Sequence, residues 1–364
     1  MTDLLDRHDV LLADLDGTLY RGHVAVPGAV EAVGGAAERG VRTVYVTNNA
    51  SRRPSDVAAH LAELGFPAVP EDVVASSQAA AAMLAEQLPA GARVLVVGTD
   101  ALADEVSAVG LTVTDKAADA DAVVQGHSPD TGWRQLAEAT VAVRAGALWV
   151  ACNLDPTLPT DRGMLPGNGS MVEVVRIATA RAPQVAGKPG PGLLREAARR
   201  GGAVQPLMVG DRLDTDVEGG RAAGMATLLV LTGVSDAAEL LAAPPALRPD
   251  YVAADLGALT RSPEELEPGP RPGWDVRVVA PGELALSGSG PDTAPDPVEA
   301  LRALCAAHWA AGGGPARVTA DGDPASAALR ELGLGEQGSG SATVAAAGAE
   351  TGTSTRKSTI GAHP

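Results

Sequence analysis

The chain has 364 residues, enough for two or three domains, and 45% of them are hydrophobic. Its 28 basic and 45 acidic residues give a net charge of -17, which repels nucleic-acid phosphates and anionic lipids, so we expect neither nucleic-acid nor membrane partners. Aromatic residues make up only 2% of the chain, which argues against pockets lined by stacked rings. Cys152 and Cys305 lack metal-ligand spacing and the first residues are acidic rather than basic, so we expect a cytoplasmic protein.

The first predicted strand ends in the most informative motif of the chain. An apolar run over residues 10–13 leads directly into Asp-Leu-Asp-Gly-Thr at residues 14–18. Such a run is typical of a buried parallel strand, and ligand chemistry in open α/β sheets takes place where these strands end. Asp14 and Asp16 repel each other unless a metal ion, a neighbouring cation or a proton relieves the repulsion. Taken alone, the segment is also compatible with a simple turn.

The following segments alternate helix and strand. Residues 27–39 have helical apolar spacing and end before a glycine, and residues 41–46 form a second strand that ends in small polar residues. Ser55 is predicted to cap a helix that runs to residue 64. This βαβα order predicts one half of a doubly wound, Rossmann-like parallel sheet.

A second α/β unit is predicted over residues 77–183, followed by a return to the first. Within it we expect a loop over residues 153–169 and a helix that starts near Asn168. The Gly-Asn-Gly stretch at residues 167–169 has two interpretations, a phosphate loop or a capped helix N-terminus. The predicted division is a core of residues 1–76 and 184–262, an inserted cap of residues 77–183, a linker of residues 263–272, a small α+β C-terminal accessory domain of residues 273–336, and a disordered tail of residues 337–364.

Polar residues at four predicted strand ends should meet at one rim of the core sheet. Lys188 is one of only three lysines, but Pro189 follows it where a Walker-type loop requires Ser or Thr, so that loop is excluded. Each motif by itself has an ordinary structural explanation as a cap, a loop or a surface turn. The rim residues are Asp14, Asp16, Thr47, Asn48, Lys188, Asp211 and Asp216.

With these motifs in this order, the sequence resembles the haloacid dehalogenase-like phosphatases that carry an α/β cap between their second and third motifs (class IIA). This group includes 4-nitrophenylphosphatase-like and phosphoglycolate phosphatase-like enzymes. The resemblance covers residues 8–262 and rests on residues 14–18, on Val-Thr-Asn-Asn at 46–49, on Gly-Lys-Pro at 187–189, and on Gly-Asp-Arg-Leu-Asp-Thr-Asp at 210–216. The whole architecture is most similar to actinobacterial glycerol 3-phosphate phosphatases with an N-acetyltransferase-like C-terminal region.

The resemblance implies a role for each rim residue. Asp14 is implied as the nucleophile that forms an aspartyl-phosphate, and Asp16 as the acid and base that moves the proton. Lys188 is implied to offset the repulsion between Asp14 and the incoming phosphate. The remaining implied roles are Mg²⁺ binding by Asp14, the Asp16 main-chain carbonyl and Asp211, support of Lys188 or a metal-bound water by Asp216, and binding of the phosphoryl group by Thr47, Asn48, Asn49 and Lys188.

The implied activity is hydrolysis of a small phosphorylated metabolite. Glycerol 3-phosphate is the leading substrate and phosphoglycolate the next, with other sugar and nucleotide phosphates as further alternatives, and the loop over residues 153–162 is expected to set the preference. A dehalogenase would need neither Asp16 nor Asp211. A non-catalytic module that binds a phosphorylated metabolite is the alternative from another class. We also consider a homodimer.

The C-terminal unit resembles part of an N-acetyltransferase but lacks the family's acetyl-CoA loop, an Arg or Gln followed by Gly-x-Gly or Gly-x-Ala before a helix. Its predicted helices begin at Pro297 and Pro324 beside acidic residues, and proline removes a donor while the acids repel a pyrophosphate. We therefore expect an accessory module without acetyltransferase chemistry, and expect a chain that ends near Glu267 to keep its phosphatase activity.

Overall fold

The computed structural model describes residues 2–160, 162–288 and 296–335. The strands within these ranges are β1 Val10–Asp14, β2 Tyr20–Arg21, β3 Val24–Ala25, β4 Arg42–Thr47, β5 Val73–Ala75, β6 Arg93–Val97, β7 Thr112–Thr114, β8 Ala122–Gln125, β9 Leu148–Ala151, β10 Thr157–Thr160, β11 Gly163–Pro166, β12 Gln184–Val185, β13 Pro206–Gly210, β14 Ala226–Val230, β15 Tyr251–Ala253, β16 Trp274–Ala280, β17 Glu283–Gly288 and β18 Arg317–Asp321. The α-helices are α1 Ala29–Glu38, α2 Pro54–Glu63, α3 Ser76–Gln87, α4 Asp100–Ala108, α5 Trp133–Ala145, α6 Asn168–Thr179, α7 Pro191–Gly201, α8 Glu218–Ala223, α9 Ala237–Ala242, α10 Pro263–Leu266, α11 Pro297–Ala310 and α12 Asp323–Glu331.

Six parallel strands form the core sheet, in the order β15-β14-β13-β1-β4-β5. The central strand β1 is apolar throughout because both faces are covered: Leu11 packs into the cluster on one face and Leu12 into the cluster on the other. Leu12 lies opposite Met208 on β13 and Val44 on β4, which fixes the register on both sides. The predicted doubly wound, Rossmann-like parallel sheet is therefore confirmed.

The inserted segment forms a second parallel sheet, in the order β12-β9-β8-β6-β7. One apolar cluster joins it to the core sheet, since Val46 of β4 and Val124 of β8 belong to the same buried group. Gln184 and Val185, expected to belong to the core, pair with β9 of the inserted sheet instead. Lys188 consequently follows a strand of the inserted sheet, whereas the sequence had predicted a strand of the core.

The predicted loop over residues 153–169 contains a β-hairpin, so this expectation was wrong. Strands β10 and β11 pair antiparallel, with Leu158 opposite Leu165. Gly163 has a φ of 99°, a left-handed conformation that glycine adopts without strain beside the turn. Prolines and threonines in these strands gave no alternating apolar pattern, and so the hairpin was not visible in the sequence.

Two further boundaries differ from the sequence predictions. Ser55 does not cap α2, because the helix starts at Pro54 with Arg53 before it, and proline suits the first helical position since that position needs no N–H donor. The expected linker starts with the short helix α10, in which the Ser262 N–H donates to Glu265 and Leu266 is fully buried. This stretch is therefore packed against the core.

The C-terminal unit, defined here as β16–β18 with α11 and α12, has a three-stranded sheet in the order β16-β17-β18. Strand β17 pairs antiparallel with β16 and parallel with β18. Its apolar residues belong to one cluster with residues of the core, including Leu229 of β14 and Val252 of β15. The predicted disordered tail, residues 337–364, lies outside the described residues.

No helix in the described part of the chain is both long enough and apolar enough to cross a membrane.

Candidate active site

The predicted rim residues do meet at the carboxyl edge of the core sheet. Asp14 ends β1, Thr47 ends β4, and Asp211 directly follows β13. The ammonium Nζ of Lys188 lies 2.5 Å from Asp14 Oδ1 and 2.6 Å from Asp216 Oδ1. Lys188 is 2% exposed, so these charged contacts are shielded from solvent.

Three buried carboxylates, those of Asp14, Asp211 and Asp216, lie close together beside the single positive charge of Lys188. Burial raises the pKa of Asp14 and of Asp216, and the nearby Lys188 ammonium opposes both shifts. Burial alone would lower the pKa of Lys188, but the adjacent Asp14 and Asp216 carboxylates raise it above its ordinary value. Lys188 therefore stays protonated at neutral pH, and a further positive charge would stabilise the ionised acids.

Asp211 is fixed in a narrow slot. Its Oδ2 accepts a hydrogen bond of 2.7 Å from the Val234 N–H, and its Oδ1 lies 3.4 Å from the Thr18 hydroxyl. A Cβ atom at Gly17 or Gly233 would overlap this carboxylate, so the chain approaches closely on two sides where only glycine fits. The orientation of Asp211 is consequently set by backbone rather than by flexible side chains.

The acidic residues fit a hard divalent cation. Carboxylate oxygens of Asp14, Asp211 and Asp216 lie within 4.8 Å of one another, the one such group of potential metal ligands in the described residues. Oxygen ligands and excess negative charge are the conditions that Mg²⁺ requires. Both Asp216 oxygens accept hydrogen bonds, Oδ1 from Lys188 Nζ and Oδ2 from the Arg212 N–H, whereas Asp14 contacts Lys188 through Oδ1. Asp14 and Asp211 are therefore the side chains best placed to hold the ion.

Asp16 faces a cluster of rings that the sequence analysis did not foresee. The imidazole of His60 packs edge to face against Tyr20 and His23, with ring centroids 5.1 and 5.3 Å apart. His60 also lies 3.1 Å from the Gly22 carbonyl, which ties α2 to the β2–β3 hairpin beside Asp16. These rings meet edge to face rather than stacked, and two of the three are histidines, which the aromatic content of 2% does not include.

Burial raises the pKa of the Asp16 carboxyl, while the positive charges of His60 and Arg52 oppose that shift. A buried carboxyl with a raised pKa can hold a proton closer to neutral pH than an exposed one can. No sequence signal pointed to His60 or Arg52, since both lie on a segment without a motif.

Asn48 has a different environment from the one predicted. Its Oδ1 accepts from the Lys188 N–H at 2.8 Å, and its Nδ2 donates to the Lys188 carbonyl at 3.0 Å. The Nδ2 nitrogen also donates to the Asp155 carboxylate, whose two oxygens lie 3.3 and 3.4 Å from it. With both donors used, the side chain clamps the Lys188 main chain, and binding of the phosphoryl group by Asn48 stays a prediction.

Thr47 and Asn49 remain as predicted ligands of the phosphoryl group at this strand end. Both line the cavity above Asp14. The Thr47 oxygen accepts from the Asn49 N–H at 3.1 Å, which leaves its hydroxyl hydrogen free to donate. The Asn49 side-chain oxygen accepts from the Ser51 N–H at 2.9 Å.

The inserted unit contributes side chains to the same place. Asn153 Nδ2 donates to the Asn48 carbonyl at 2.6 Å, and Asn168 Nδ2 donates to the Asn153 carbonyl at 2.8 Å. The N–H groups of Gly167 and Gly169 donate to the carbonyls of residues 156 and 155. Because these two N–H groups already donate to main-chain carbonyls, the stretch is a helix N-terminus rather than a phosphate loop, although Gly167 provides no side-chain cap.

A cavity of about 340 Å³ lies between the core and the inserted unit. Its floor contains Asp14 and Asp16, and its roof contains Asp155, Leu158 and His127 of the inserted unit. Residues of the segment 153–162, which was predicted to set the substrate preference, therefore line the cavity. The segment includes the first strand of the β10–β11 hairpin.

Comparisons with known families agree with this geometry. A haloacid dehalogenase-like hydrolase model matches residues 11–112, and a second HAD-hydrolase-like model matches residues 185–259. A GCN5-related N-acetyltransferase-like domain model matches residues 271–334.

Individual relatives cover most of the chain. It is 49% identical over 344 residues to a D-glycerol 3-phosphate phosphatase of Mycobacterium tuberculosis, spanning 92% of this chain and 96% of the relative. A crystal structure of glycerol phosphate phosphatase from that organism, in complex with magnesium, has 50% identity and a TM-score of 0.86 over 92% of this chain and 99% of its own. A 4-nitrophenylphosphatase structure from Thermotoga maritima has 31% identity and a TM-score of 0.66 over 72% and 99%.

Proposed function

This chain belongs to the haloacid dehalogenase-like hydrolases, and we propose that it is an Mg²⁺-dependent phosphatase that hydrolyses glycerol 3-phosphate through an aspartyl-phosphate. The observation that carries the proposal is the buried contact of Lys188 with both Asp14 and Asp216, beside a third carboxylate. A hydrolase of phosphate monoesters needs a nucleophile, a proton donor and concentrated positive charge, and this rim offers each of them.

In the first step, an Asp14 carboxylate oxygen attacks phosphorus and the bond from phosphorus to the substrate oxygen breaks. Asp16 gives its proton to that leaving oxygen, which departs as an alcohol. The raised pKa of Asp16 supports this role, because the residue must carry a proton before the reaction. Mg²⁺ held by Asp14 and Asp211 would supply positive charge against the phosphoryl oxygens.

In the second step, water attacks the phosphorus of the aspartyl-phosphate and Asp16 takes the proton that the water loses. The bond between Asp14 and phosphorus breaks, which restores the carboxylate and releases inorganic phosphate. Throughout, the Lys188 ammonium 2.5 Å from Asp14 offsets the repulsion between the carboxylate and the anionic substrate.

The substrate assignment rests on the named relative and on the size of the site. A cavity of about 340 Å³ is at the lower end of the range for small-molecule sites, which favours a small metabolite over a nucleotide. Phosphoglycolate is of similar size and is the alternative substrate.

The test is release of inorganic phosphate from glycerol 3-phosphate, phosphoglycolate and 4-nitrophenyl phosphate, with Mg²⁺ and then with a chelator. Asp14→Asn should lower turnover by about 10³-fold or more, because an amide is a poor nucleophile. Asp214→Asn is the matched control, since Asp214 is in the same motif as Asp216 but is 61% exposed and paired with Arg212. Full turnover in Asp14→Asn, or in the chelated wild type, would contradict the mechanism.

The same assay separates the alternatives. Preference for phosphoglycolate would replace the substrate assignment and leave the mechanism intact. Tight binding of a phosphorylated metabolite without turnover would support the regulatory module instead. Asp16→Asn should slow substrates with poor leaving groups more than 4-nitrophenyl phosphate in the first step, since a good leaving group needs no proton.

We also propose a cytoplasmic homodimer. Both cysteines are buried as free thiols, as expected in a reducing compartment. Trp133 on α5 and Ile177 on the neighbouring α6 are 81% and 75% exposed, which gives the inserted unit an apolar face. Light scattering of the wild type and of Trp133→Glu tests the assembly, and a monomeric wild type would remove the dimer from the proposal.

A further inference from the structure

The C-terminal unit shares a hydrophobic core with the motif that holds Asp216. Leu213 and Val217 lie at the two ends of the π-helical turn Leu213–Val217, which contains Asp216, and both are buried. They belong to the same apolar cluster as Leu301 and Leu304 of α11, which are fully buried. Removal of α11 would therefore uncover α9 and β15, through which this cluster continues from α11 toward the turn.

Besides the bond from Arg261 to Glu299, two side chains of α11 donate hydrogen bonds to main-chain carbonyls of the core. Arg302 of α11 is 1% exposed, and its Nε donates to the Val252 carbonyl of the edge strand β15 at 2.8 Å. Trp309 Nε1 donates to the Leu241 carbonyl at the end of α9, at 3.1 Å. The guanidinium of Arg248 also lies 4.9 Å from the centre of the Trp309 ring.

Helix α9 connects this contact to the Asp211 carboxylate. The segment before α9 is fixed to Asp211, because the Val234 N–H donates to its Oδ2 and the Ser235 N–H donates to its carbonyl at 3.0 Å. Asp236 then caps α9, accepting from the N–H groups of residues 238 and 239. The residues directly before α9 therefore contact Asp211, and the last turn of α9 contacts Trp309.

We propose that the C-terminal unit is a structural part of the phosphatase core that positions the Asp211–Asp216 segment, and that it has no acetyl-transfer activity. At the α11 N-terminus, the Asp296 carboxylate accepts the Val298 N–H at 2.9 Å, so this helix end is already capped by an acid that would repel a pyrophosphate. This role goes beyond hydrolysis itself, and only its Mg²⁺ measurement rests on the proposed function.

The first experiment compares Trp309→Phe with Trp274→Phe in the full-length protein. Both replace an indole of the C-terminal unit, but the Nε1 of Trp274 has no hydrogen-bond partner in the described residues, whereas that of Trp309 bonds to the core. Trp309→Phe should raise the Mg²⁺ concentration for half-maximal phosphate release by about threefold to fivefold, as expected for one lost hydrogen bond. Trp274→Phe should change it by less than about twofold.

A second measurement does not depend on catalysis. The rise in unfolding temperature that Mg²⁺ produces without substrate should be smaller in Trp309→Phe than in Trp274→Phe. The same Mg²⁺ response in both variants, by activity and by unfolding, would overturn the positioning role.

Hydrogen exchange of the full-length wild type tests whether the two parts unfold together. A shared core predicts that amides of α11 and of β13–β15 lose protection at the same denaturant concentration. Exchange of α11 while β13–β15 stay protected would show an independent domain and overturn the inference. This outcome is unaffected by the identity of the substrate or by the presence of phosphatase activity.

Discussion

The inserted unit and the C-terminal unit both share apolar clusters with the core sheet, but only the inserted unit reaches the catalytic cavity. Asn153 and Asp155 of the insert contact Asn48 directly, and Leu158 lines the cavity. The C-terminal unit instead packs behind the site, against α9 and β15, through residues such as Trp309. One unit therefore supplies polar contacts at the front of the site and the other supplies support at its back.

This difference follows from where each unit joins the core. The insert leaves the core after β5 and returns just before Lys188, so that both of its connections lie at the carboxyl edge of the sheet. The C-terminal unit follows β15, the edge strand farthest from β4. Movement of the insert would change the distance between its polar side chains and Asn48, whereas movement of the C-terminal unit would act only through α9 and the β13–β15 region.

The largest effect is expected from removing the support altogether. A chain that ends at Glu267 loses α11, exposes Leu229 and Val252, and leaves the β15 side of the sheet uncovered. We expect it to aggregate or to lack a cooperative unfolding transition, contrary to the sequence expectation that such a chain stays active. Circular dichroism and size-exclusion chromatography provide the measurement. A soluble, cooperatively folded and fully active truncated protein would show that the active site does not need the C-terminal unit packed against α9 and β15.

At the front of the site, Asn48→Asp should lower turnover by about 10²-fold. The replacement cannot donate to the Lys188 carbonyl and places a negative charge against Asp155, so the Lys188 loop should shift. Gln135→Glu is the matched control, since this exposed amide accepts from the Gly132 N–H and an acid can still do so. Stopped-time phosphate assays at saturating Mg²⁺ measure both variants, and equal turnover in the two would refute the clamp.

Two matched core substitutions sharpen the comparison at intermediate size. Leu304→Ala in the C-terminal unit and Leu136→Ala in the insert should each cost about 2–5 kcal/mol of unfolding free energy. The cluster around Leu136 contains only residues of the insert, whereas the cluster around Leu304 includes Leu213 beside Asp216. Only Leu304→Ala should therefore also raise the Mg²⁺ concentration needed for half-maximal phosphate release. Urea unfolding and Mg²⁺ titrations measure these effects. A higher Mg²⁺ requirement in both variants would mean that general destabilisation is the cause.

The smallest effect is expected from the surface. Arg53 at the start of α2 pairs with Asp104 on α4 of the insert, and both side chains are at least half exposed. Arg53→Ala should lower the unfolding temperature by less than about 2 °C, because exposed ion pairs contribute little. Scanning calorimetry in low and high salt tests this. A large, salt-sensitive drop would show that the insert is held by charge more than by the shared apolar cluster.

The sequence was sufficient to predict the strands and helices with strong apolar periodicity and the polar residues at their ends. Asp14, Thr47 and Asp211 could be placed together because parallel strands end on one edge. The role of Asn48 could not be predicted, since it depends on how close the Lys188 main chain passes, and no local pattern encodes that distance. The hairpin β10–β11 was missed for another reason, because its two strands carry no alternating apolar residues, and β11 is exposed along its whole length.

The packing of the C-terminal unit against the core could not be predicted from the sequence either. Its helices look self-sufficient in sequence, and only the packing shows that Leu304 and Leu213 share one cluster. The ring cluster of Tyr20, His23 and His60 likewise comes from two segments, the β2–β3 hairpin and α2, whose proximity depends on the fold.

The position of β1 between β13 and β4 also has a consequence for synthesis on the ribosome. Val10 pairs with Arg42 on one side, but with Pro206 on the other, about 200 residues later. At about 5–20 residues per second, the second partner emerges roughly 10–40 s after the first strand. During that interval the β13-facing edge of β1 has no partner, and an apolar edge strand pairs readily with other chains. The nascent protein therefore passes through a period in which this apolar edge is open to pairing with other chains, before β13 can complete the strand order on which the site depends.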